Sequence, residues 1–205
     1  MFITFEGQEG AGKSTQIKLA HDYLLSLDFD VIATRDPGGT TIAEKIRHIL
    51  KDNNNAAISK ETEALLYVAA RAQLVAEVIR PQLNKGGIVL CDRFTDSTIA
   101  YQGFGNSLDV DRLTTINNFA TDNLVPDITF LLEIDPAVGL ARKSAYKKLD
   151  RIEAKALPYH NLVKDGYKYL AEKNPGRIVT IDAAIGVDDI HDVIKDHLRR
   201  VLDLA

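Results

Sequence analysis

Tryptophan is missing from the 205 residues, and methionine and cysteine occur once each. With Cys91 as the single thiol, no internal disulfide can form. A chain of this length can hide ~70% of its unfolded surface, so its core needs no covalent or metal staple. Such sparing cysteine use leads us to expect a reducing, cytoplasmic compartment. Long apolar runs are also lacking: no segment approaches the ~20 residues required to cross a bilayer, and MFITFEGQEG has neither the cationic stretch nor the apolar run of a leader. Charge of one sign is not in excess either. Twenty-five Lys and Arg against 29 Asp and Glu leave a net charge of -4, which argues against a nucleic-acid or anionic-membrane surface and requires any basic site to be local. Without repeats, low-complexity tracts or Gly/Ser linkers, a single domain over 1–205 is expected.

What is present alternates. Short β-rich runs occur at Phe2 to Phe5, Val31 to Thr34, Ile88 to Cys91, Ile128 to Ile134 and Ile178 to Ile181. Helical patterns fill the gaps, at about Lys13 to Leu27, Ile42 to Leu50, Lys60 to Leu83, Leu113 to Asn123, Ala137 to Lys143, His160 to Lys173 and Asp188 to Leu202. This predicts an α/β fold whose five parallel strands are covered on both faces. In such sheets ligands bind beyond the carboxyl ends of the strands, so the polar residues there are the candidates.

Directly after the first strand stands Gly7-Gln8-Glu9-Gly10-Ala11-Gly12-Lys13-Ser14, followed by Thr15. It fits GxxxxGK[ST] in the strand-to-helix context the motif demands, and it predicts a three-layer P-loop NTPase fold. Backbone N–H groups of the loop and of the helix start would wrap phosphates. Lys13 would reach the β and γ phosphates, and Ser14 would sit on Mg²⁺. The loop carries no arginine, so a cation has to come from elsewhere. Glu9 would face a metal-bound water or a hydroxyl of the second substrate, or simply be a solvated loop carboxylate.

Strand two runs into Arg35-Asp36-Pro37-Gly38-Gly39-Thr40 and strand three into Asp92-Arg93-Phe94. Asp92 closes an apolar strand as a metal- or water-directing carboxylate does. Arg35 and Arg93, at neighbouring strand ends, would form a second anion site, although Arg35 by itself also fits a surface ion pair. Cys91 reads as a small core residue, and the five histidines show no metal-ligand spacing. Between these strands, Tyr67 and Arg71 lie one helical turn apart, off the stripe of Val68, Ala72, Val75 and Ile79. A ring that stacks and a guanidinium that donates to a carbonyl suit a base; a plain cation–π pair is the alternative. Ser97, Thr98, Tyr101 and Gln102 would line the same pocket if their segment is helical. Arg142 to Arg151 reads RKSAYKKLDR, either a basic lid (about 142–153) that closes over phosphates or a solvated charged face.

FEGQEGAGKST, TRDPGGT, LLYVAARAQ, CDRFTDSTIAYQG, DITFLLEIDPAVGLAR and LDRIE together resemble the bacterial thymidylate kinase family, in its order and across nearly the whole chain. The resemblance implies transfer of the γ-phosphoryl of ATP to dTMP on the route to dTTP, with Mg²⁺, by a homodimer. It also implies that Arg35 and Arg93 hold the dTMP phosphate, that Tyr67 stacks on thymine and that Arg71 bonds its O4. Ser97, Thr98 and Gln102 would line the pocket, and Tyr101 would crowd the ribose 2′ position. Glu9 would face the sugar hydroxyl or metal shell, Arg142 would lie near adenine, and Lys147, Lys148 and Arg151 would belong to the lid. Of these, Lys13, Arg93, Glu9, Arg151 and Lys147 would serve the chemistry, with Ser14 and Asp92 at the metal. Tyr67 stands where the family mostly has Phe, Asp36 where it has Glu, and Glu133 where it usually has Asp. Ser144 and Tyr146 replace lid arginines. A kinase for another monophosphate and a nucleotide-operated switch or ATPase are the alternatives. A guanine-reading NKxD is approached only by Asn84-Lys85-Gly86-Gly87.

Overall fold

The computed structural model describes residues 1–146 and 148–203. In chain order it contains β1 (Phe2–Gly7), α1 (Lys13–Ser26), β2 (Val31–Arg35), α2 (Thr41–Lys51), α3 (Lys60–Leu74), α4 (Arg80–Asn84), β3 (Ile88–Asp92), α5 (Thr95–Thr98), α6 (Val110–Thr121), β4 (Ile128–Glu133), α7 (Pro136–Ser144), α8 (Leu157–Lys173), β5 (Ile178–Asp182) and α9 (Val187–Val201). The strands form one parallel sheet in the order β2-β3-β1-β4-β5. The glycine loop therefore leaves the central strand, and Arg35 is in register with Asp92 at the adjoining strand ends.

Period-two alternation assigns the faces. Ile3, Phe5, Leu90, Phe130 and Leu132 point to one side, against Ile17, Ala20 and Leu24 of α1 and Ile190, Ile194 and Leu198 of α9. Phe2, Val89 and Cys91 point to the other, against Leu74, Val75, Ile79 and Phe94; on that side Leu131 meets Val163, Tyr167 and Leu170 of α8. Cys91 is thus a core residue. Helix starts are set by short polar side chains: Thr40, Ser59, Asp109 and Asp135 each accept a backbone N–H of the helix that follows.

The helix expected over Lys60 to Leu83 is present but not α-helical throughout. A wide π turn, Val75–Ile79, separates α3 from α4. Pro81 supplies the reason, because it has no N–H and its ring excludes the carbonyl four residues back. A second π segment, Ile99–Gly105, continues α5 and carries Tyr101 and Gln102.

Candidate active site

Between β1 and α1 the loop folds at the carboxyl edge of the sheet. Gly10 has φ 73°, and a Cβ there would lie 2.1 Å from the Gly139 carbonyl oxygen of α7. A Cβ on Gly139 would in turn lie 2.2 Å from the Glu9 carbonyl oxygen. Only glycine on both sides lets α7 meet the loop backbone to backbone. No side chain caps the start of α1; the Thr15 N–H is taken by the Gly12 carbonyl at 3.1 Å, and those of Lys13 and Ser14 are the ones open to an anion. Lys13 Nζ donates to the Gly7 and Gln8 carbonyls, each at 2.8 Å. Burial and the neighbouring Arg93 charge push its pKa down to about 8.

A cavity of about 600 Å³ opens here. Glu9, Gly10, Gly12, Lys13, Ser14 and Thr15 line its loop side; Tyr67, Arg71, Arg93, Ser97, Thr98, Tyr101 and Gln102 line the other, with Arg35, Asp92 and Arg142 also exposed to it. Gly7 and Gln8 instead border a second cavity of about 470 Å³ against α8, and Ala11 is packed in the core. Lys147 lies outside the described residues.

Glu9 joins the two sides. Its carboxylate accepts from Arg93 Nη2 at 2.9 Å and from Tyr101 OH at 2.8 Å, so it is no solvated loop residue. Burial opposes its charge, yet Arg93 and Lys13 hold it below the usual carboxylate range. The Arg93 guanidinium also sits 4.8 Å from the centre of the Tyr101 ring. Burial works against the Arg93 charge too, but the surrounding Tyr101, Tyr167, Glu9 and Asp92 raise its pKa well above the ordinary value.

Arg71 is fastened. Nε donates to Asp36 Oδ2 at 2.5 Å, Nη1 to Thr98 Oγ1 at 2.7 Å and to Asn117 Oδ1, and Nη2 to the Phe94 carbonyl at 3.0 Å. One Nη2 hydrogen remains uncommitted among the described residues, and Arg71 shares the cavity with Tyr67. Arg35 is at the rim, half-exposed and paired with Glu44 at 2.8 Å. It thus joins the expected ion pair while still facing the cavity.

The described part of the segment expected to form a lid is docked against α2 and α3. Lys51 pairs with Asp150 at 2.7 Å, Asn53 donates to the Leu149 carbonyl, and Arg151 Nε donates to the Leu50 carbonyl at 2.8 Å. Arg151, expected to face the phosphates, pairs with the buried Glu63 at 2.8 Å and does not line the cavity. Arg142, Lys143 and Tyr146 do line it.

Sequence reasoning passed over several residues. Arg47 and Lys51 line the cavity from α2, with a one-turn spacing that a search for paired cations would find. Glu6 carried no comparable signal. It is buried in β1, where desolvation and the Asp96 charge push its pKa up to about 7. Folded protein therefore binds that proton more tightly than unfolded chain, and the resulting stability is complete below the ordinary carboxylate pKa and lost as pH rises through about 7. Glu6→Gln lacks this loss, so its destabilisation relative to the parent is expected to shrink by about 2 kcal/mol between pH 5 and pH 8 in urea titrations. A constant difference would reject the raised pKa.

A glycine loop leaving the central strand of this parallel sheet, with basic and hydroxyl side chains across one cavity from it, defines the class: a P-loop nucleotide-binding α/β protein. The family model described as thymidylate kinase matches residues 5–194. Thymidylate kinase of Geobacter sulfurreducens is 48% identical over 203 residues, covering 96% of this chain and 95% of the relative. That of Pelobacter propionicus is 47% identical over 199 residues, covering 94% and 91%. The crystal structure of thymidylate kinase from Ehrlichia chaffeensis superposes with a TM-score of 0.79 at 33% identity, covering 97% of this chain and 98% of that one. The chain belongs to the thymidylate kinase family.

Proposed function

We propose that this protein transfers the γ-phosphoryl of ATP to dTMP, giving dTDP and ADP. The observation that carries the reading is Glu9, a residue of the phosphate loop bonded to Arg93 and Tyr101 of the opposite wall, so that loop and acceptor pocket share one cavity. ATP phosphates would lie on the loop from Gly7 to Thr15, with Lys13 turning from its carbonyls to the β and γ oxygens and Arg142 beside adenine. The dTMP phosphate would lie against Arg93 and Arg35, thymine on Tyr67, and the sugar between Tyr101 and Glu9, with Ser97, Thr98 and Gln102 completing the pocket. A dTMP phosphate oxygen attacks the γ-phosphorus while the bond to the β-phosphate oxygen breaks. Fixed cations offset the repulsion between the two polyanions, and no covalent intermediate is needed.

Ser14 and Asp92 would hold Mg²⁺. Asp92 Oδ1 is buried without a hydrogen-bond partner among the described residues and its side chain shares the cavity with Ser14, which suits a cation. Bound there, Mg²⁺ would neutralise phosphate charge. Arg151 and Glu63 serve in this reading to fasten the lid to α3. The protein is taken to act as a homodimer in the cytoplasm. Exposed Phe119 on α6 and Leu65 on α3 offer apolar surface for the partner, and no helix among the described residues is long and apolar enough to cross a membrane.

The uncommitted Arg71 hydrogen matches thymine O4 but opposes the amino group of cytosine, and a buried donor facing a donor discriminates strongly. In an ADP-release assay with dTMP, dUMP, dCMP and thymidine, dTMP is expected to exceed dCMP in kcat/KM by about 10²-fold or more. ATP turnover indifferent to the acceptor would instead identify an ATPase.

A further inference from the structure

We propose that Glu6 is a positioning residue that sets Arg93 through Tyr167, Ser97 and the Phe94 amide. This rests on the reading of Arg93 as the ligand of the acceptor phosphate. Neither Glu6 nor Tyr167 lines the cavity assigned to the substrates, and Glu6 is only 1% exposed. Three donors nevertheless converge on its carboxylate: Phe94 N at 2.7 Å on Oε1, and Ser97 Oγ at 2.6 Å and Tyr167 OH at 2.8 Å on Oε2. Arg93 Nη1 donates to the same two hydroxyls, at 3.2 Å to Ser97 and 2.9 Å to Tyr167.

The chemistry follows from counting protons. A hydroxyl that gives its one hydrogen to Glu6 has only lone pairs left for the guanidinium. Glu6 thereby orients both hydroxyls as acceptors toward Arg93, which it never touches. It also grips the backbone. Arg93 has φ 73°, a left-handed conformation unfavourable for a side chain of this kind. Its own N–H is held by the Phe5 carbonyl at 3.0 Å, and the next N–H by Glu6, so two successive residues of β1 fix both sides of the strained unit.

Calorimetric titration of dTMP and of ADP into the whole chain at pH 8, where Glu6 with its pKa of about 7 is ionised, tests the assignment. Glu6→Gln either sets its amide N–H against the Phe94 N–H or turns it to the two hydroxyls, which then accept from it and swing their own hydrogens toward Arg93, and it is expected to weaken dTMP binding by about 10- to 100-fold. Tyr167→Phe removes one link at little risk to the fold and is expected to cost about 3- to 10-fold. ADP affinity should move by less than about twofold in both, and both effects on dTMP should vanish in an Arg93→Met background. Equal losses for dTMP with and without Arg93, or losses shared by ADP, would mean a merely structural role and overturn the proposal. So would unchanged dTMP affinity in Tyr167→Phe, which stands alone if Glu6→Gln does not fold. Unchanged dTMP affinity in Arg93→Met itself rejects the underlying reading of Arg93, a separate and recognisable failure.

Discussion

Lys13→Ala is expected to lower kcat by about 10³-fold, the order found when one preorganised group that stabilises transition-state charge is removed. The protein should stay folded. The ammonium is buried against two carbonyls of its own loop and is repelled by Arg93, which is why its pKa falls to about 8. Removing a desolvated cation offsets the loss of its two hydrogen bonds, and the melting temperature should change by only a few degrees. Turnover and thermal unfolding measured on the same preparation decide the matter. Near-normal kcat would remove Lys13 from the reaction, and collapse of the fold would make it a structural residue.

Arg71→Ala is expected to act chiefly on stability. Asp36 is fully buried and paired with Arg71, and its pKa is raised by burial even though the guanidinium opposes the shift. Breaking such a pair by removing one partner costs about 3–5 kcal/mol, which for a chain of this size lowers the melting temperature by about 10 °C. Adding Asp36→Asn removes the stranded charge and should restore part of the loss. Urea denaturation of the parent, both single variants and the double variant measures the coupling, and additive effects would sink the claim. Base selectivity is best read in the double variant, where the fold is least compromised.

These two residues mark what can be read from a linear chain. Lys13 is legible because a P-loop is local: the strand, the glycines, the lysine and the helix follow one another, and backbone geometry requires them in that order. Strand-end residues such as Arg93 and Asp92 are legible for a related reason, since a parallel sheet exposes whatever follows each apolar run. The role of Asp36 is not local. It appears in sequence only as a short replacement for Glu, while its partner comes from a helix 35 positions away. Glu6 is harder still, because a charge inside a strand reads as an interruption, and its donors lie 88, 91 and 161 positions along the chain. The basic run at 142–151 speaks only through its own composition, which contains no trace of the Glu63 that captures Arg151.

The glycine-to-glycine seam between the loop and α7 has a mechanical consequence. Where side chains separate two elements, rotamer changes can absorb a small shift of either one. At Gly10 and Gly139 there is no such cushion, so a nucleotide that displaces the loop must carry α7 with it as a rigid lever. The far end of that lever bears Arg142 and Lys143, which line the same cavity, so any displacement of the loop would be felt at that rim.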